Sequence, residues 1–157
     1  VEDVVQGCRW AHEAGLKVHL TFMFGHAWEG PQEIENTVRL ARRLLAKGWA
    51  STLQCTLTIP YPGTPLFKEL DANDGLTTRD WDEYDMRRSI AKTPLVSERE
   101  LKEAIRRVYR GFLQPRALMH IFADRLFDFV FYYRAMRYLF GHLLDFGDRG
   151  TVRKDLG

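Results

Sequence analysis

Two stretches of alternating polar and apolar residues, separated by one amphipathic helix, constrain this chain more than any other feature of its sequence. Within residues 16–24, Val18, Leu20, Phe22 and Phe24 alternate with His19, Thr21 and Met23, the period-two pattern of a strand with two unlike faces. Across residues 52–59 the alternation returns, with Leu53, Cys55, Leu57 and Ile59 on one face and Thr52, Gln54, Thr56 and Thr58 on the other. Between them, residues 32–47 carry Ile34, Val38, Ala41, Leu44 and Leu45 at helical spacing, and Gly48 ends the pattern. A strand, a helix and a strand joined this way form a βαβ unit, so the strands are expected to run parallel with a right-handed crossover.

Parallel strands are usually buried on both faces and read as unbroken Val/Ile/Leu runs, so a regular face of His, Thr, Gln and Met needs a reason. A barrel supplies one, because its outer strand face packs on helices while its inner face can meet a ligand. His19, Thr21, Met23, Gln54, Thr56 and Thr58 are therefore expected to point into a barrel interior, complete or partial. A doubly wound sheet with an exposed edge strand is the alternative.

The rest of the chain reads as mostly helical. Residues 1–15 look like a helix already under way, with Val1, Val4, Val5, Cys8 and Ala11 on one stripe and Gly15 as its stop; with no Met or N-cap ahead of it, a fragment is expected. After the second strand, Pro60, Pro62, Gly63 and Pro65 bracket a rigid turn. A short helix at 66–70, a turn at 73–75 and an irregular acidic and aromatic segment around 81–85 follow. Ser97 with Glu100 is a capping box opening a helix through Leu101, Ala104, Ile105, Val108 and Phe112. Pro115 breaks that helix, and one long helix is expected from 118 to about 144, with a frayed tail over 147–157. The expected organisation is a barrel portion at 1–62, a connecting segment at 63–96 and a helical region at 97–157.

Composition narrows the function classes. The chain has 157 residues, 45% hydrophobic, enough apolar material for a core. Its two cysteines, Cys8 and Cys55, cannot build a disulfide framework or a self-contained thiolate metal site, which suits a reducing cytoplasm. No run approaches the roughly 20 apolar residues of a membrane span. Residues 1–98 hold 11 Lys/Arg against 14 Asp/Glu, and residues 99–157 hold 12 against 7, so the C-terminal part is basic. Seven of the fourteen residues from 127 to 140 are aromatic, with Arg125, Arg134 and Arg137 nearby. Packing inside a larger protein is one reading of that helix and contact with a membrane surface is another. No RNA-binding signature accompanies the basic residues, so no nucleic-acid partner is expected.

Candidate chemistry gathers at residues 25–29, Gly25, His26, Ala27, Trp28 and Glu29, because loops at the C-terminal ends of parallel strands carry the active sites of α/β barrels. Gly25 would let a ligand approach the backbone, and Glu29 could accept hydrogen bonds from an amine or hydroxyl. The plainer reading of Glu29 is a carboxylate serving its own turn and helix N-terminus. His26 has no partner by spacing, and no nucleophile elbow, phosphate-binding loop or dinucleotide fingerprint is present.

The stretches AGLKVHLTFMFGHAWEGPQEIENTVRLARRL, LQCTLTIPYPGTPLFKEL, WDEYDM and KTPLVSERELKEAIRRVYRGFLQPRAL together resemble the C-terminal half of radical S-adenosylmethionine enzymes. The likeness is to the cobalamin-binding class that includes anaerobic magnesium-protoporphyrin monomethyl ester cyclases and hopanoid-modifying enzymes. The resemblance reaches about residue 120 and implies a partial (β/α)6 barrel whose fifth and sixth strands are the two read here. Family members usually carry Gly-x-Pro-x-Glu after the fifth strand, near bound S-adenosylmethionine; Gly25 and Glu29 match it and Ala27 replaces the proline. Thr37 and the run from Pro60 to Thr64 match as well.

The expected cofactor-contacting set is Gly25 and Glu29, which match the motif, together with His26 of the same loop and Thr21, Met23, Thr56 and Thr58 of the polar strand faces. The full-length enzyme would use S-adenosylmethionine, a [4Fe-4S] cluster and cobalamin. The CxxxCxxC loop that holds such a cluster is absent, so its ligands are expected in an upstream part of the same polypeptide, and this chain alone is expected to be inactive. The expected partners are that upstream part and an apolar or tetrapyrrole-like small molecule. The alternatives are a radical enzyme without cobalamin and a noncatalytic or membrane-surface helical module.

Overall fold

A computed structural model of the chain describes residues 1–124 and 129–145. It is a mixed α/β structure in which six α-helices accompany a two-stranded parallel sheet. The order is α1 (Glu2–Glu13), β1 (His19–Phe24), α2 (Pro31–Ala46), β2 (Thr52–Leu57), α3 (Pro65–Ala72), α4 (Glu98–Tyr109), α5 (Pro115–Asp124) and α6 (Phe129–Asp145). Single 3₁₀ turns lie at Trp81–Glu83 and Arg110–Leu113.

The βαβ expectation holds in detail. The strands pair in parallel with His19 opposite Thr52 and Phe24 opposite Leu57. The glycines placed at helix ends adopt left-handed φ, +76° at Gly15 and +70° at Gly48. Around each, an N–H one residue further on returns to a carbonyl of the last turn, Leu16 to Ala11 at 2.9 Å and Trp49 to Leu44 at 3.1 Å. The Ser97–Glu100 capping box is formed, with Ser97 N–H donating to Glu100 Oε2 at 2.8 Å. Thr64 caps α3 through its hydroxyl, which accepts from Phe67 N–H at 3.2 Å, with Pro65 in the first turn where its missing donor costs nothing.

One face of the sheet makes the core. Phe24, Leu53, Cys55 and Leu57 join Ile34, Val38, Ala41, Leu44 and Leu45 of α2 and Leu101, Ala104, Ile105, Val108 and Tyr109 of α4 in a single buried cluster. Val5 and Cys8 of α1, Ala117 of α5, and Ala50 and Val96 complete it. Arg107 of α4 and Glu35 of α2 pair at 2.6 Å beside this contact. A second, smaller cluster, Leu70, Leu76, Ile90 and Ala91, packs against Ile59, Leu66, Phe67 and Tyr84, and Leu76 bridges Ala91 in antiparallel fashion.

Four expectations are corrected. β1 starts at His19, leaving Leu16 exposed, and β2 ends at Leu57, so Ile59 turns away to the second cluster ahead of Pro60. The α1 stripe is only half used: Val5 and Cys8 are buried while Val1 and Val4 are exposed. The polar sheet face is open among the described residues, with His19, Thr21, Met23 and Thr52 exposed and Gln54 and Thr56 half-buried. The barrel expectation thus stands in its coarser form, a parallel α/β unit whose core-forming helices share one side of the sheet.

The single long C-terminal helix is two helices. Tyr132 O–H donates to Ile121 C=O at 3.1 Å, and the rings of Phe122 and Tyr132 stack with centroids 5.4 Å apart. Along a continuous helix, residues eleven apart would be separated by about 16 Å, so α6 packs back against α5. Phe127 and Arg125 of the aromatic stretch, and the tail over 147–157, lie outside the described residues. On α6, Tyr133, Met136, Tyr138 and Phe140 are exposed. Among the described residues no helix is long and apolar enough to cross a membrane.

Ile105 of α4 is fully buried in this core cluster. Truncation of Ile105 to Ala is expected to cost about 3 kcal/mol by leaving a cavity that rigid helices cannot fill. Urea unfolding checks this, with an unchanged m-value as the sign that the native fold persists.

Candidate functional site

The strands deliver two connections to the same end of the sheet, residues 25–30 after β1 and 58–64 after β2. Gly25 begins the first with φ +94°, a left-handed conformation that suits glycine. It is also tightly surrounded, because a Cβ at this position would lie 3.1 Å from Leu101 and within 4 Å of Thr93 and Ser89. Those neighbours come from a segment more than sixty residues away, and no local feature of the sequence announces them.

Glu29 is 5% exposed and turned back into its own loop. Its Oε2 accepts the backbone N–H of Gly25 at 2.7 Å and of His26 at 2.8 Å. Charge-assisted bonds of this kind are stronger than neutral ones, and one carboxylate oxygen serves both donors. Glu29 N–H in turn donates to His26 C=O at 3.0 Å, closing the turn. Gly30 N–H donates to Glu33 Oε2 at 3.0 Å and starts α2. Glu29 therefore fixes the shape of the loop, and its Oε1 makes none of these bonds.

His26 is half-buried and stacks on Trp28 with ring centroids 5.7 Å apart and planes 14° from parallel. Trp28 itself is exposed, so the loop presents a flat aromatic surface at the end of β1. Thr21 and Met23 stand on the open face of β1, Met23 with 54% of its surface accessible, and Thr56 faces the same way across the register from Met23. Thr58 differs from these. It is 2% exposed, its hydroxyl donates to Phe24 C=O at 3.1 Å, and its N–H donates to the same oxygen at 2.8 Å. It locks the two strands together where they end. At the opposite end, His19 Nδ1 and Thr52 Oγ1 share a hydrogen bond of 2.8 Å.

The acidic and aromatic segment packs beside the exit of β2. Trp81 and Tyr84 lie with ring centroids 4.9 Å apart, and Tyr61 and Tyr84 with centroids 6.5 Å apart. The Tyr84 hydroxyl is buried and has no hydrogen-bond partner among the described residues, and its desolvation raises its pKa. A cavity of about 200 Å³ lies at the other end of the sheet, lined by Lys17, Ser51, Thr52, His120 and apolar neighbours, away from the glycine loop.

Neither cysteine is disposed to hold a metal. Burial pushes the Cys55 thiol up to about 12 and raises that of Cys8, which keeps both protonated where a ligand must be a thiolate. Among the described residues no three His, Cys, Asp or Glu side chains gather as a metal site. The residues present do not fit an iron-sulfur cluster.

The chain is similar to a protein of Pyrococcus horikoshii named as an uncharacterized methyltransferase, with 28% identity over 119 residues that cover 75% of this chain. The same match covers 25% of that protein, so the chain spans about a quarter of the length of its relative. No known family's sequence profile matches the chain, and no solved structure matches it.

Replacing Glu29 by Ala leaves two backbone donors of a closed loop without an acceptor. The expected cost is about 3 kcal/mol, read as a melting temperature lower by about 9 °C, with the loss of protection from hydrogen exchange centred on residues 25–29. A melting temperature within a degree of wild type would show that the loop does not depend on this carboxylate.

Proposed function

We propose that the chain forms part of a methyltransferase that uses S-adenosylmethionine, with the open face of the sheet and the glycine loop as part of the cofactor and substrate surface. The similarity to a protein named as a methyltransferase carries this reading. The disposition of the strands supports it, since small polar side chains and an aromatic stack sit near the C-terminal ends of parallel strands, where α/β folds bind ligands.

The residues fit S-adenosylmethionine in chemistry. Thr21, Gln54 and Thr56 offer hydroxyl and amide groups for the polar parts of the nucleoside and amino acid. The stack of half-buried His26 on exposed Trp28 offers a flat contact for a purine. Glu29 acts one step back, by holding the Gly25 and His26 amides in place, and Thr58 by fixing the strand ends. When bound, S-adenosylmethionine supplies an activated group for transfer. The finer reading is a cobalamin-binding radical enzyme, supported by the sequence resemblance around residues 25–29, 60–64 and 81–86. In it, the cluster and cobalamin are held by parts of the polypeptide other than these residues, and the substrate is an apolar or tetrapyrrole-like molecule.

Calorimetric titration of the full-length protein with S-adenosylmethionine tests the proposal. Thr56→Val and Trp28→Ala should each weaken binding about tenfold, the loss of roughly one hydrogen bond or one stacking contact, with melting temperature little changed. Wild-type affinity in both variants would remove this surface from the cofactor site.

A further inference from the structure

The end of the sheet opposite the glycine loop carries a second concave surface. There the cavity of about 200 Å³ opens where Lys17 leads into β1, where Ser51 and Thr52 lead into β2, and beside α5. Local bonds steady its polar rim. Ser51 N–H donates to Val18 C=O at 2.9 Å, and the Thr52 hydroxyl shares a hydrogen bond of 2.8 Å with His19 Nδ1. His120 of α5 reaches the same cavity by lying against Gly48, whose φ is +70°. A Cβ on Gly48 would come 2.7 Å from His120 Cγ, so the glycine leaves the imidazole its place.

The lining divides by chemistry. Lys17, Ser51, Thr52 and His120 bring polar groups, and the Lys17 ammonium has three N–H donors that can serve more than one acceptor. Phe112, Ala117 and Ile121 bring an apolar wall. Among the described residues no Asp or Glu lines the cavity, so its polar side suits an anion. A bare phosphate would set part of its charge against Phe112 and Ile121, and a charge taken from water without partners is costly. A carboxylate on a short apolar body satisfies both sides. The volume limits that body, since pockets for drug-sized ligands begin at about 300 Å³. β1 is six residues long and sets the cavity about 17 Å from the glycine loop, too far for one small molecule to reach both.

We propose that this cavity binds a small monocarboxylic acid with an apolar body, its carboxylate on Lys17 and the Ser51 hydroxyl and its body against Phe112 and Ile121. The site is separate from the proposed cofactor surface, so its ligand takes no part in a reaction there. The proposal stands whether or not the protein transfers methyl groups, because its test reads binding at this cavity and not turnover.

Calorimetric titration of the full-length protein with benzoate is the experiment, run beside benzyl alcohol, which keeps the body without the charge, and inorganic phosphate, which keeps the charge without the body. Benzoate is expected to bind with a dissociation constant of about 1 mM, and the other two at least about tenfold more weakly. No benzoate binding at about twenty times that concentration would overturn the proposal. Phosphate binding as tightly as benzoate would show that the apolar wall plays no part, and equal binding of benzyl alcohol that the cation plays none; either result overturns it. Lys17→Gln should weaken benzoate about tenfold, the loss of one charged hydrogen bond. Ile121→Phe fills the apolar side and leaves every polar group in place, so it should weaken benzoate by at least about tenfold as well. Wild-type affinity in both variants would put benzoate elsewhere on the protein and overturn the site. If Ile121→Phe fails to fold, Lys17→Gln, at an exposed position, still decides.

Discussion

Two six-residue parallel strands cannot hold themselves together in water; a ladder this short gains little against the entropy of ordering it. What holds these strands is the burial of their apolar face under α2 and α4, where Phe24, Leu53, Cys55 and Leu57 meet Val38, Leu44, Leu101 and Ile105. The direction of the strands, the level at which their loops emerge and the exposure of the opposite face all follow from that contact. With about 25 cal/mol gained for each Å² of apolar surface removed from water, a face packed on two helices supplies the largest favourable term in the structure.

The same one-sided packing creates the surface that could do chemistry. Because the core-forming helices share the apolar face, the threonines, the glutamine and Met23 remain where a ligand or another part of a protein can reach them. The loops at the strand ends are then tied down by short-range devices. Glu29 gathers two amides, Thr58 joins the strand ends, Gly25 turns beneath Leu101, and Thr64 starts the next helix. A loop with so many of its own groups satisfied can present His26 and Trp28 in one arrangement, the preorganisation that binding favours.

The polar groups that are buried carry different meanings. Glu29, Thr58 and Tyr109 each pair with a backbone group at a strand or its end. Their role is to settle which main-chain donors and acceptors stay available, and a buried amide left unpaired is costly. Tyr84 is the exception, a buried hydroxyl with no partner among the described residues, within the aromatic group beside Tyr61 and Trp81.

The amino-acid sequence by itself determined the local grammar: the alternation that makes each strand, the stripe and glycine stop of α2, the Ser97–Glu100 cap and the proline-bracketed turn after β2. These depend on residues within a turn or two of one another, so spacing is enough to reveal them. It also placed the loop at residues 25–29 and allowed Glu29 to serve its own turn. Tertiary structure alone decided the rest. The pairing of Cys55 with Tyr109, the approach of Ser89, Thr93 and Leu101 to Gly25, the packing of α6 against α5 and the openness of the polar face rest on residues far apart along the chain. Such contacts are selected by which apolar surfaces can be buried together, and that choice belongs to the whole packed molecule and to no local pattern.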